Sequence, residues 1–225
     1  MKLRTKVYQN WVKSGNWNFL KLLEPNHDAK VVDLGCGDGE FSLKVKERIG
    51  CNKICGIDVH EPYINKAKMK GIDVIKHDLN DFPYPLEDNS FDVVVSNQVI
   101  EHLLYPVKFL KEIYRILKPG GYTVISTENL ASWDSIVSLI LGWMRFSMEL
   151  DEVHKVNPLS LHHMEPIKKR VAPHLRILTY KTLLEIVKSI GFKVESALGS
   201  GHIFGRIGEI IDKRHCRFVI IRMRK

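Results

Sequence analysis

The sequence predicts an α/β fold: a doubly wound, mostly parallel seven-stranded sheet that ends in an antiparallel C-terminal strand pair and carries a helical lid insertion. Three observations lead there. A short apolar run, Lys30 to Leu34, stops at a turn rich in glycine, Gly35, Gly37 and Gly39. Strand-like and helix-like segments then alternate as far as Thr127, which calls for parallel strands joined by crossover helices. Two strand-like runs close the chain with only a short connection between them, so the last pair should be antiparallel.

The elements follow in order. Residues 1–28 form an N-terminal helical segment, because Trp17, Phe19, Leu20 and Leu23 recur at helical spacing between about Asn16 and Glu24, before Pro25. Val31 to Leu34 is a buried strand feeding the glycine turn. Phe41, Val45 and Ile49 mark a helix up to Gly50, and Ile54 to Asp58 is the second strand. Glu61-Pro62 opens the next helix, where the missing proline N–H costs nothing, and Gly71 ends it. Ile72 to Lys76 and Phe91 to Ser96 are strands, Pro106 to Leu117 is an amphipathic helix, and Tyr122 to Thr127 is a strand entered through Pro119-Gly120-Gly121. Thr179 caps a helix whose apolar face is Leu183, Leu184, Ile186, Val187 and Ile190, and Gly191 closes it. Phe192 to Leu198 and Cys216 to Met223 are the last strands, and the glycine-rich linker between them, Gly199 to Asp212, is expected to hold no helix.

The segment 128–178 breaks the alternation, being far longer than the connections of α/β units. Within a single domain, 1–225, it is expected to be a lid over the substrate side or a contact between two copies of the chain. Its stretch from Trp133 to Phe146 is apolar over more than one helix face, which points to burial or to an apolar ligand.

Composition narrows the class. With 44% hydrophobic and 27% charged residues over 225 positions, the chain has an ordinary globular balance. Its start spreads charges and lacks an apolar leader core. The stretch Trp133 to Phe146 falls short of the ~20 apolar residues of a membrane-spanning helix. Cys36, Cys51, Cys55 and Cys216 form neither a disulfide framework nor a zinc pattern, so a cytoplasmic protein without a metal is expected. The net charge of +8 permits contact with polyanions, but Lys66-Lys68-Lys70, Lys168-Lys169-Arg170 and Arg222-Arg224-Lys225 are scattered.

The turn Asp33-Leu34-Gly35-Cys36-Gly37-Asp38-Gly39-Glu40 sits where a strand becomes a helix, a place for a polar, nucleotide-like ligand to touch backbone. A dinucleotide fingerprint requires a third glycine three residues after the second, and that position is Glu40. Asp33 and Glu40 also put negative charge beside the loop, which suits a cationic ligand better than a pyrophosphate.

On these residues the chain resembles the class I S-adenosylmethionine-dependent methyltransferases of small-molecule type, over about Lys30 to Thr127 and Thr179 to Met223. Supporting pieces in the right order are Ser90-Phe91-Asp92, Leu117-Lys118-Pro119-Gly120-Gly121 and the closing strand pair. The resemblance implies S-adenosyl-L-methionine as cofactor. It implies that Asp33, Gly35, Cys36, Gly37 and Gly39 wrap its methionine part, and that Asp58, followed by Val59, holds both ribose hydroxyls. Asp78 would accept from the adenine amino group with Leu79 beside the ring, and Asn97 and Gln98 would lie near the methionine moiety.

Glu101-His102 follows the fourth strand at the carboxyl edge, where open α/β sheets bind ligands. His102 is one candidate base or acceptor-orienting group, and His174, among the insertion's His154, His162, His163 and His174, is the other. The expected acceptor is small or lipid-like, since no separate RNA-binding module is present. An RNA or protein methyltransferase, or a non-catalytic cofactor-binding interaction module, stays open as the alternative.

Overall fold

The computed structural model describes residues 2–144 and 174–225. The elements are α1 (Lys2–Lys21), β1 (Val31–Leu34), α2 (Glu40–Ile49), β2 (Ile54–Asp58), α3 (Glu61–Met69), β3 (Asp73–Lys76), β4 (Phe91–Asn97), α4 (Pro106–Ile116), β5 (Leu117–Glu128), α5 (Trp133–Ile140), α6 (Tyr180–Ile190), β6 (Lys193–Ser200), α7 (Gly205–Ile211) and β7 (Phe218–Arg224). The seven strands form one sheet in the order β3-β2-β1-β4-β5-β7-β6. All neighbours are parallel except β7, which runs antiparallel to both β5 and β6. Two reversals restore direction, so β6 ends at the same carboxyl edge as β1, β4 and β5.

Successive strand residues point to opposite faces, and the core divides accordingly. Val32 and Leu34 join Phe109, Leu110 and Ile113 of α4 and Leu183 and Val187 of α6 on one face. Val31 packs with Val45 and Ile49 of α2 and with Phe19, Leu22 and Leu23 on the other. The capping expectations for α6 are met: the Thr179 hydroxyl oxygen accepts from the Thr182 amide at 3.1 Å, and Gly191 ends the helix at φ 114°.

Four local expectations need correction. The N-terminal helix runs from Lys2 to Lys21 rather than from about Asn16, because it lies along the C-terminal strands; the Ser200 hydroxyl, for example, donates to the Trp11 carbonyl at 2.8 Å. β5 begins at Leu117, paired with Phe91, so Pro119-Gly120-Gly121 lies within it. The linker between β6 and β7 does hold a helix, α7, followed by a 3-10 turn at Lys213–His215. Gly208 serves close packing there: a Cβ on it would come within 1.8 Å of His202 Nδ1. Finally, α5 inverts the burial its sequence implies, burying Ser135 and Ser138 while Val137, Leu139 and Ile140 are exposed.

The insertion's base is closed by hydrogen bonds. The Leu130 amide donates to the Leu178 carbonyl at 3.0 Å, and the Tyr180 amide donates to Asn129 Oδ1 at 3.2 Å. The stretch from Arg145 to Pro173, including His154, His162 and His163, lies outside the described residues. Among the described residues, no helix is long and apolar enough to cross a membrane.

Candidate functional site

The turn after β1 is tied to the end of β2, because the amides of Gly35 and Cys36 both donate to the Ile57 carbonyl, at 2.8 and 3.0 Å. Its three glycines all have positive φ, yet they serve different ends. A Cβ at Gly35 would meet Val99 Cγ2 at 2.4 Å, and one at Gly39 would meet Ile72 Cδ1 at 2.5 Å. A Cβ at Gly37 would meet nothing within 4 Å. Packing therefore demands Gly35 and Gly39, whereas Gly37 faces open space that a ligand can enter.

Asp58 ends β2 beside that opening. Its Oδ2 accepts from the Gly37 amide at 2.8 Å and its Oδ1 from the His60 amide at 2.9 Å. The two bonds fix the carboxylate plane, and each oxygen retains acceptor capacity for a hydroxyl. Val59, next to it, is 52% exposed. An open backbone cradle beside an oriented two-oxygen acceptor fits a nucleoside whose ribose offers vicinal hydroxyls and whose polar tail reaches the loop.

Other residues named from the sequence take inward positions. Asp33 is 2% exposed and accepts from the Ser42 hydroxyl at 2.6 Å, so it ties β1 to the start of α2 beneath the loop. Burial pushes its carboxyl up to about 7, against the lowering effect of Ser42. Cys36 turns its thiol onto Gly56, and burial raises that thiol above the ordinary range. Asp78, after β3, accepts through Oδ1 from the Asn80 amide at 2.8 Å and the Asn80 side chain at 3.1 Å. Leu79 is buried in the core, and its carbonyl accepts from the Tyr84 hydroxyl at 2.9 Å.

At the end of β4, Asn97 is held from two sides, donating to Asn16 Oδ1 at 3.1 Å and accepting from the Ser126 hydroxyl. Gln98 has φ 59°, a conformation that turns the chain sharply out of the strand. With its amide oriented to satisfy its neighbours, Gln98 donates to Glu101 Oε1 at 3.1 Å and accepts from the Thr127 amide at 3.2 Å.

Glu101 is the centre of a group that sequence reasoning did not assemble. It is fully buried, its Oε2 accepts from the Thr127 hydroxyl at 2.9 Å, and burial raises its carboxyl to about 7. Its backbone carbonyl accepts from the amides of Leu175 and Arg176 at 2.7 and 3.0 Å. That grip brings the returning end of the insertion onto β4, so the His174 ring lies 4.6 Å from the His102 ring, centroid to centroid. His174 Nδ1 is 3.2 Å from Glu128 Oε2, at the end of β5, and Glu128 Oε1 is 3.7 Å from the buried Arg217. Glu101, His102 and His174 each offer a nitrogen or oxygen within 4.8 Å of the others. Such a set can relay protons, and its donors would also suit a divalent cation, which the sequence did not foresee. The sequence signals for it were Glu101-His102 directly after a strand and His174 among the insertion's histidines; nothing local marked Glu128 or Arg217.

Comparison with known proteins places this geometry. Residues 32–125 match a family model described as a methyltransferase domain. A probable S-adenosylmethionine-dependent methyltransferase of Mycolicibacterium smegmatis is 29% identical over 187 residues, covering 82% of this chain and 59% of that protein. The mitochondrial ubiquinone biosynthesis O-methyltransferase of Dictyostelium discoideum is 28% identical over 180 residues, covering 74% of this chain and 52% of its own length. The chain thus spans little more than half the length of these curated relatives. Among solved structures, an S-adenosylmethionine dependent methyltransferase from Mesorhizobium loti superposes with a TM-score of 0.64 at 22% identity, covering 93% of this chain and 97% of that one.

Proposed function

We propose that the chain is a class I S-adenosylmethionine-dependent methyltransferase, on the match of residues 32–125 to a methyltransferase-domain model and its likeness to methyltransferase relatives, and that it methylates a small or lipid-like acceptor at the carboxyl edge of its sheet. The observation that carries this reading is a juxtaposition: the open turn at Gly37 follows β1, and the Glu101–His102–His174 group follows β4, its hydrogen-bonded neighbour. A relative named as an O-methyltransferase of ubiquinone biosynthesis supports an acceptor methylated on oxygen.

S-adenosylmethionine supplies a methyl carbon already activated by positive sulfur, so the protein's task is alignment and proton handling. On this proposal the Gly35, Gly37 and Gly39 turn holds the amino-acid end and Asp58 receives the ribose hydroxyls, with Val59 beside them. Asp78, Leu79, Asn97 and Gln98 border the remainder. Asp33 and Cys36 act from below, holding the turn in shape.

An acceptor hydroxyl must lose its proton as it attacks, and His102 and His174 are the groups placed to take it. Beneath them, a buried Glu101 with its carboxyl near 7 changes charge close to neutral pH, the range in which a proton relay is useful. Glu128 and Arg217 hold His174 in place.

The test is incubation of the protein with methyl-labelled S-adenosylmethionine and, separately, a lipid extract, a small-molecule extract and total RNA. Label recovered in a lipid or small-molecule product is expected. Label confined to RNA or to protein would replace this reading, and calorimetry showing no binding of S-adenosylhomocysteine would remove the catalytic reading altogether.

A further inference from the structure

The surface around α7 is unlike the rest of the molecule. From Ile203 to Arg214 the exposed side chains are apolar or cationic only. Phe204, Ile207, Ile210 and Ile211 are each at least 70% exposed, and Arg206 and Arg214 stand between and after them. The two acids of the segment are turned to internal partners. Glu209 accepts from the Gly201 amide at 2.8 Å and the Ser14 hydroxyl at 3.5 Å, and Asp212 accepts from the Trp133 ring N–H at 3.0 Å and lies 2.8 Å from His215 Nδ1. Isolated exposed isoleucines need no explanation, but so many in so short a segment do.

We propose that α7 and the turn before it form a docking surface for an anionic lipid bilayer. Short amphipathic segments lie in the headgroup region with isoleucine and phenylalanine inserted and arginine among the phosphates. The charge supports this occupant: the cations at the patch are exposed, its two acids are turned to internal hydrogen-bond partners, and the chain carries +8 overall. A second copy is a poorer fit, because a two-fold contact through this face would set Arg206 and Arg214 of both copies against each other.

Its position gives the docking a purpose. α7 follows the end of β6, which shares the carboxyl edge with β1, β4 and β5. The segment is also fastened to the acceptor side. Asn129 donates to the carbonyls of Arg214 and Cys216, both at 2.8 Å, and Trp133 of α5 donates to Asp212. α5 adds the exposed Leu139, Ile140 and Leu141 on the same edge. A bilayer held by α7 therefore faces the opening of the candidate site, and a lipid-soluble acceptor passes into it without crossing water. That last step rests on the proposed function; the docking itself rests on the surface alone.

Co-sedimentation of the full chain with phosphatidylcholine vesicles, with and without phosphatidylglycerol, tests the inference. Wild type is expected to pellet with the anionic vesicles, and a variant combining Ile207→Asp with Ile210→Asp should partition at least about tenfold less. The pellet should also shrink as salt rises. The variant's melting temperature and its affinity for S-adenosylhomocysteine should not change, since both side chains are solvent-exposed. Equal partitioning of variant and wild type would overturn the proposal. So would a wild type that ignores vesicles but dimerises in ultracentrifugation through a contact the variant abolishes. Vesicle binding without cofactor binding would leave the docking standing and remove the proposed function; cofactor binding without vesicle binding would do the reverse.

Discussion

From β1 to β4 the carboxyl edge is built of short loops whose side chains turn inward: Asp33 to Ser42, Cys36 to Gly56, Leu79 into the core. Beyond β5 the same edge is built of longer connections, α5 and α7, that keep polar groups inside and show isoleucine and leucine to the outside. The family model covers residues 32–125 and stops inside β5, so it takes in the first construction and leaves out the second. The first half is what a nucleoside-type ligand requires of any such sheet. The second half is where this chain states what else it handles.

The largest effect that sharpens this contrast is expected within the glycine turn. Gly37→Val should leave a folded protein with a modest melting loss, from its positive φ, and no measurable binding of S-adenosylhomocysteine in calorimetry. Gly35→Val should instead fail to fold, because the new side chain meets Val99. If both variants fold and bind, the turn is not a ligand cradle and the comparison collapses.

Next in size is a pH effect seated in the first half, at Asp33 in β1 and Glu101 after β4. In the unfolded chain Asp33 and Glu101 titrate near 3.8 and 4.5, and in the fold near 7. Between those values the folded protein binds more protons than the unfolded one, so stability should fall as pH rises from about 4 to about 7, then level off. Asp33→Asn keeps the acceptor for Ser42 and removes the charge, and it should flatten that fall by on the order of 2–4 kcal/mol. Urea midpoints measured across this range would show it; an unchanged slope would mean the buried charge is solvated in some other way.

A smaller effect concerns the proton relay, where Glu101 and His102 of the first half meet His174 of the second. Glu101→Gln and His174→Ala should each lower turnover by about 100-fold with little change in cofactor affinity. Glu101→Gln should also move the midpoint of the pH–rate profile, which a purely structural role would not. Overnight dialysis against a chelator should leave activity unchanged, and a loss restored by a divalent cation would assign the same three side chains to a metal instead.

The smallest is Asp58→Ala, which should weaken cofactor binding by about 1.5–3 kcal/mol while the fold persists. Asp58→Glu should lose less. An unchanged affinity with a lower melting temperature would make Asp58 only the anchor of the Gly37 and His60 amides.

The same contrast explains what could be read from the sequence. The first half was legible because each element carries its own local signal, an apolar run such as Val31 to Leu34, a glycine at positive φ, a proline in the first turn of α3. α7 was not, because Gly205 and Gly208 look like linker residues until His202 is seen packed against Gly208. α5 misled in the opposite sense: an apolar stretch implies burial, yet the buried positions are serines. The proton-relay group was legible only in part: the sequence names His102 and His174, but not their meeting with Glu101. Glu101 and His174 are 73 positions apart, and the two amides bonded to the Glu101 carbonyl help bring them together.

That pair of amides also has a use in engineering. One end of the insertion is pinned by Asp134, whose Oδ2 accepts from Arg217 at 2.6 Å, and the other by Leu175 and Arg176 on Glu101. The cost of closing a loop between fixed posts rises only slowly with its length, roughly 0.6 kcal/mol for each doubling. The stretch between Leu141 and His174 is therefore a cassette: it can be shortened, lengthened or exchanged for another chain's while α5, His174, the sheet, the glycine turn and Asp58 keep their sequence. Libraries varied there alone would test whether the insertion governs acceptor choice, as the proposed function requires.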